Sequence, residues 1–360
     1  MLIGNTEVNT GRQLALDYAR GLAVICMILC HTVLHLSTGY ADHPLFRFGD
    51  EALGGPTTAP LFMICLGIGL CYSRNTTPGY LLRRGIRLLL GGYLLNLCRG
   101  GLFLLIAGLA FDWKIEGVDA DLPAFTLYAC MIGDILMFAG ITFMFFALVV
   151  RLRVSNWLLA VLAIVFQLVG HLFEQYDAGN AIVTSLWGLI IPSGAKDYED
   201  CMACFPFLLW ALYPIFGYLF GQKLRRVTDL DVFYRRIFLV TAPITVFYAV
   251  LNVVYGIRPF SDEYYWHTLG DAFFFLALDL MIISGFHLLI PYMPGWVHTP
   301  LCNLSHDITR VYCVSWCLIL WVGIPLLALT DMEGIHPAWA YLPGVLFVYA
   351  SYYLQKRFRR

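Results

Sequence analysis

Apolar stretches long enough to cross a bilayer recur about ten times along this 360-residue chain, and they leave few folds open. In hydrocarbon every backbone polar group must be bonded within the protein, and runs of this length do so as membrane-spanning helices. The expected spans are 18–39, 57–74, 84–109, 124–150, 155–173, 203–222, 236–257, 266–290, 301–329 and 336–355. Sixty per cent hydrophobic residues against 13% charged excludes a soluble domain. The expected fold is all-α: a polytopic membrane bundle, 1–360 forming one integral domain, with no nucleic-acid partner and the lipid bilayer as surroundings.

The loops orient the bundle. Arg74, Arg83, Arg84 and Arg87 lie between spans two and three, and Arg151 and Arg153 between four and five. Lys223, Arg225, Arg226, Arg235 and Arg236 fill the next alternate loop, and Lys356, Arg357, Arg359 and Arg360 form the tail. The intervening loops carry Asp112, Glu116, Asp119 and Asp121, then Asp177, Asp197, Glu199 and Asp200, then Asp262 and Glu263. Basic loops stay cytoplasmic, so both termini are expected inside a cell membrane. The polar first sixteen residues lack a signal-peptide pattern, and the first span is expected to be retained.

Eleven cysteines are scattered mostly through apolar runs, where thiols act as small hydrophobes. Cys201 and Cys204 are the one close pair, read as helix-facing thiols at a span entrance. Gly217 and Gly221 form a small-xxx-small pair that lets two helices approach. Gly67 and Gly69 lack the context of a nucleotide fingerprint and read as close packing.

The first span carries unexpected charge: Asp17, Arg20 and His31 lie within Leu16–His31. Ionisable groups in a span are costly and tend to be functional. Eleven positions are about three helical turns, so Arg20 and His31 share a face, roughly 16 Å apart along the axis. A cation at the inner surface is thus aligned with an imidazole inside the membrane. His31 and His35 are one turn apart, yet no third ligand with recognisable spacing accompanies them, and no metal is expected. Further polar groups in the spans are Asn96, Arg99, Asp134, His171, Asp271, Asp279, His287, Asn303 and His306. Asp307 and Arg310 are spaced to pair. Asp134 is expected mid-span, paired with a cation or protonated. The loop 40–60, with Asp42, His43, Arg47, Asp50 and Glu51, faces outside in this orientation.

Leu16-Asp17-x-x-Arg20-Gly21-Leu22-Ala23 followed by His31 resembles the first helix of the acyltransferase-3 and heparan-α-glucosaminide N-acetyltransferase-like superfamily, in which an arginine precedes a histidine with ten residues between. Ala59-Pro60-Leu61-Phe62-x5-Gly67 and Arg83-Arg84-Gly85-x-Arg87 are similar to the starts of its second and third helices. Leu304-Ser305-x-x-Ile308-Thr309-x-x-Tyr312-x-x-x-Trp316 is similar to its penultimate helices. In the heparan-type branch the position of His31 is an asparagine and the critical histidine follows in the loop, where His43 is the nearest counterpart; the histidine at 31 favours that residue here and leaves His43 as a second candidate.

The resemblance implies acyl transfer across a membrane, from cytoplasmic acyl-CoA (acetyl-CoA in the simplest case) to an extracytoplasmic sugar, glycan or lipid-linked acceptor. No permanently bound cofactor is implied. His31 would be the general base or an acylated nucleophile, with Arg20 and Asp17 beside it. Arg83, Arg84 and Arg87 would hold the CoA phosphates, since arginine grips phosphate through its planar fork. His35, His43, Asp307 and Arg310 would contact substrate. A homodimer is compatible with this reading. The competing expectation is a proton-coupled transporter or flippase using Asp134, Asp271, Asp279 and the histidines.

Overall fold

The computed structural model describes residues 2–111, 122–173, 181–193, 203–255, 264–329 and 334–357. The acidic residues Asp112, Glu116, Asp119, Asp121, Asp177, Asp197, Glu199, Asp200, Asp262 and Glu263 lie outside them, as do Cys201, Arg359 and Arg360. Among the described residues the chain is all-helical. Two isolated bridges, Ile3 with Val227 and Gly133 with Ala203, are the extended pairings present there.

Among the described residues, seven helical stretches are long and apolar enough to cross a membrane: 14–36, 44–71, 78–106, 135–152, 230–251, 269–292 and 308–327. A shorter apolar helix covers 156–171. The chain divides into two compact units. The first comprises 1–72, 217–262 and 270–360; the second comprises 73–216 and 263–269.

In the first unit, α1 (Leu14–Leu36) is buried along much of its length, including Ala19, Ala23, Val24, Ile28 and Val33. Small residues let its neighbours approach. At Gly21 of α1, an added Cβ would lie 2.6 Å from the carbonyl oxygen of Leu301 on α14 (Gly295–His306). At Gly344 of α17 (Pro337–Arg357), it would lie 2.9 Å from a methyl of Leu29 on α1. The expectation for Gly217 and Gly221 holds. Both lie on α11 (Leu212–Leu224) against α3 (Ala59–Cys71): an added Cβ on Gly217 would run into the Ile64 backbone, and one on Gly221 would lie about 3 Å from Ile68 Cα and Cys71 Sγ.

The second unit is built on α4 (Pro78–Asn96) and α7 (Ile135–Leu152), which pack on each other through glycines. A Cβ on Gly140 would stand 2.8 Å from both the Gly85 carbonyl oxygen and the Leu89 amide nitrogen, backbone atoms that cannot swing aside. Gly140→Ala should therefore destabilise the protein by about 1–3 kcal/mol, read as a lowered unfolding temperature in detergent.

Asp134 departs from the expectation that it sits mid-span. The apolar run 124–150 is two helices, α6 (Leu122–Met131) and α7, and Asp134 is the N-cap of the second, accepting from the Ile135 amide at 2.6 Å. Its expected pairing is present: Arg99 Nη2 donates to Asp134 Oδ2 at 2.5 Å. Arg99 lies in the π-helical turn Leu97–Gly101 that continues α4, and it also donates to Asn96 Oδ1 at 2.9 Å. Asn96 in turn donates to the carbonyls of Cys130 and Ile132, at 3.2 and 2.7 Å. The α6–α7 break thus has its exposed carbonyls and its cap satisfied by one buried polar chain.

Candidate active site

The charge in α1 gathers on Asp17. Arg12 Nε donates to its Oδ2 at 2.5 Å, and the hydroxyl of Ser305 on α14 donates to its Oδ1 at 2.9 Å. Arg20 Nη1 is 3.8 Å from Oδ1, one turn along. An acidic side chain in the first turn also complements the helix dipole. The Asp17 hydrogen bond raises the pKa of the Arg12 guanidinium above its ordinary value.

Arg20 reaches across to α3, where its Nη2 donates to the carbonyl of Cys65 at 2.8 Å. That carbonyl can be approached because Gly69, one turn on, has no side chain: a Cβ there would sit 3.1 Å from Arg20 Nη2. Gly69, expected to serve helix packing, clears the space for a guanidinium. Arg20 keeps 22% of its side chain exposed, so the cation is held but not sealed.

Farther along α1, the ring of His31 stacks on Trp316 of α15 (Ile308–Leu318), with centroids 4.4 Å apart and planes tilted by 36°. His35 meets the same indole edge-on at 5.3 Å. One buried tryptophan thus contacts both α1 histidines. The end of α1 near Asp17 is fixed by a second aromatic group, in which Tyr18 hydrogen-bonds His298 Nδ1 and packs edge-on against Phe286.

The remaining expected site residues are spread more widely. Arg83, Arg84 and Arg87 are all exposed on α4, in the second unit, and Arg84 lies over the ring of Phe143 at 4.4 Å. Asp307 and Arg310 pair as their spacing predicts, at 3.9 Å, and His306 Nδ1 is 3.7 Å from Asp307. With Arg310 53% exposed, this is a surface pair and contributes little to stability. His43 caps α2 (Pro44–Arg47), accepting from Leu45. Among the described residues no group of three metal-ligating side chains occurs.

The sequence profile of the heparan-alpha-glucosaminide N-acetyltransferase catalytic family matches residues 12–247, from Arg12 beside Asp17 through both α1 histidines and the α4 arginines. The chain belongs to that family. Membership makes it an acetyltransferase, and its apolar helices make it a multi-pass membrane protein. No curated protein matches the chain.

Ser305, Tyr18, His298 and Gly69 were not among the expected site residues. Ser305 and Trp316 do fall within the stretch that resembles the superfamily's penultimate helices, and that signal could have marked both. Tyr18 and His298 carry no comparable pattern, because a tyrosine and a histidine at helix ends are ordinary.

Proposed function

We propose that this protein moves an acetyl group from cytoplasmic acyl-CoA to the hydroxyl or amine of an extracytoplasmic sugar, glycan or lipid-linked acceptor. In this reading the chain forms one membrane domain of ten spans with both termini inside. The alternating basic loops support that orientation. The observation that carries the reading is the layout of α1. A guanidinium held by Asp17 and the Cys65 carbonyl stands at one end, and an imidazole stacked on Trp316 stands three turns away on the same helix.

His31 takes the proton from the attacking hydroxyl or amine as the acceptor adds to the thioester carbonyl. The leaving CoA thiolate accepts a proton in turn. A neutral imidazole suits this because its ordinary pKa lies near the operating pH. Trp316 restrains the ring, which lowers the cost of orienting it. Arg20 supplies positive charge to the donor side, and Asp17 orients it. His35, His43, Asp307 and Arg310 serve as substrate contacts.

Arg83, Arg84 and Arg87 bind the phosphates of the donor. Replacing all three with glutamine should abolish thermal stabilisation of the purified protein by CoA and raise the KM for acetyl-CoA by more than tenfold. The unfolding temperature without CoA should stay near that of wild type, because all three side chains are exposed. A scan of unfolding temperature against CoA concentration tests this, and stabilisation that survives the triple replacement rejects the assignment.

A further inference from the structure

The departing CoA thiolate must gain a proton, and His31 is assigned to the proton of the acceptor, so another group has to supply it. One buried acid of the first unit is unused by the reaction as described: Asp279 on α13 (Leu269–Leu289). It lies ten positions from either end of that helix, about 15 Å in from both. Its side chain is fully buried, and neither carboxyl oxygen has a hydrogen-bond partner. Arg20 does not neutralise it, since one Nη is directed to Asp17 and the other to the Cys65 carbonyl. A bare carboxylate is among the costliest groups to leave inside a membrane, whereas a carboxylic acid carries no net charge. Asp279 is therefore an acid whose O–H is unspent.

Two buried hydroxyls continue from this acid toward the surface. Asp279 and Arg20 both act electrostatically on the Cys65 thiol of α3, as does Asp17. Tyr72 closes α3 seven positions after Cys65, two turns along the same face and about 10 Å away. Tyr234 of α12 (Leu230–Tyr255) is within electrostatic reach of both Cys65 and Tyr72. The hydroxyl oxygens of Tyr234 and Tyr72 are buried and, like the Asp279 carboxyl, lack a hydrogen-bond partner. Beyond them Arg225 lies over the Tyr72 ring at 6.0 Å and pairs with Glu7 at 2.6 Å, and both charged side chains are partly exposed. In the proposed orientation this end is cytoplasmic. Of the other titratable groups on α13, His287 pairs with Asp231 at 2.8 Å, and Asp271 lies eight positions toward the outer end.

We propose that Asp279 protonates the leaving CoA thiolate, and that Tyr234 and Tyr72 carry its replacement proton from the cytoplasmic side. The inference rests on the acyl-CoA reading above. As the thioester C–S bond breaks, the Asp279 O–H bond breaks and an S–H bond forms, so CoA leaves as the thiol. The carboxylate then takes a proton passed inward from hydroxyl to hydroxyl, each tyrosine accepting one proton and releasing its own. The proton that His31 removed from the acceptor returns to water on the acceptor side. One proton is thus taken up inside and one released outside in each cycle, and every residue ends as it began. Arg20, which acts on the same thiol as Asp279, offsets the brief negative charge. Proton relay is a common task of acids held within membranes.

The first test needs no substrate. Infrared spectra of the full chain in detergent at neutral pH should show the C=O band of a protonated acid that Asp279→Asn removes and Asp279→Glu moves. The glutamate variant alone suffices for the assignment where the asparagine variant does not fold. Tyr234→Phe keeps the ring stacked on His287 and should slow exchange of that band in deuterated water at least tenfold. In transfer from acetyl-CoA, Asp279→Asn should lower kcat about 10²-fold at nearly unchanged KM, and Asp279→Glu should recover part of the loss. A band that neither replacement alters overturns the proposal, as does a kcat for Asp279→Asn equal to that of wild type. Unchanged exchange in Tyr234→Phe overturns the tyrosine route. If wild type shows the band yet transfers no acetyl group from CoA, the acyl-CoA reading has failed and the catalytic role of Asp279 falls with it.

Discussion

His31→Gln should lower the rate of acetyl transfer by about 10²- to 10⁴-fold, the range a positioned general base supplies. The loss should appear in kcat while the KM for acetyl-CoA changes little, because His31 is assigned to the proton of the acceptor and not to the donor. Glutamine fills a similar space and can still lie against Trp316, so the unfolding temperature should stay within a few degrees of wild type. Trp316→Leu separates positioning from chemistry. It removes the surface on which the imidazole rests, leaves the imidazole in place, and should reduce kcat less than His31→Gln does. If both replacements reduce transfer equally and also lower stability, the role of His31 is packing.

Arg99→Ala should cost about 3–5 kcal/mol of stability, the usual consequence of removing one partner of a buried ion pair. The Asp134 carboxylate would keep the Ile135 amide but lose its cation, at a point where only 13% of its side chain is exposed. Asn96 would lose the guanidinium it accepts from, and the carbonyls at the α6–α7 break would be held less firmly. Replacing both charges, with Arg99→Met and Asp134→Ser, should recover much of the loss: serine retains the N-cap and no unpaired charge remains. The measurement is a double-mutant cycle on unfolding temperature in detergent. Additive losses in the double variant would mean that the pair is not a coupled unit.

What could be read from the sequence follows the range of each interaction. The α1 alignment of Arg20 with His31 depends only on helical repeat, and Asp307 with Arg310 on a spacing of three, so both were legible. The glycine pair of α11 was legible for the same reason. What holds Arg20 was not. Its carbonyl partner is 45 residues away on α3, and the serine that fixes Asp17 is 288 residues away on α14. Periodicity within one helix carries no record of which neighbour it meets. The α6–α7 break shows a different failure. Gly133 is the residue expected just past a helix end and Asp134 the one expected at a helix start, but apolar residues on both sides made the run look continuous. The acid is a cap there, and a local signal had been outweighed by a long-range average.

The most direct measurement places the two substrates on opposite sides of a membrane. The purified protein is reconstituted into sealed vesicles with a sugar acceptor enclosed and labelled acetyl-CoA added outside, with wild type and His31→Gln compared. Molecules oriented with the α4 arginines outward should deliver label to the enclosed sugar without CoA entering and without a proton gradient, and His31→Gln should stop that delivery. Label that stays on CoA while the sugar or a proton crosses would instead make the protein a transporter and contradict the account.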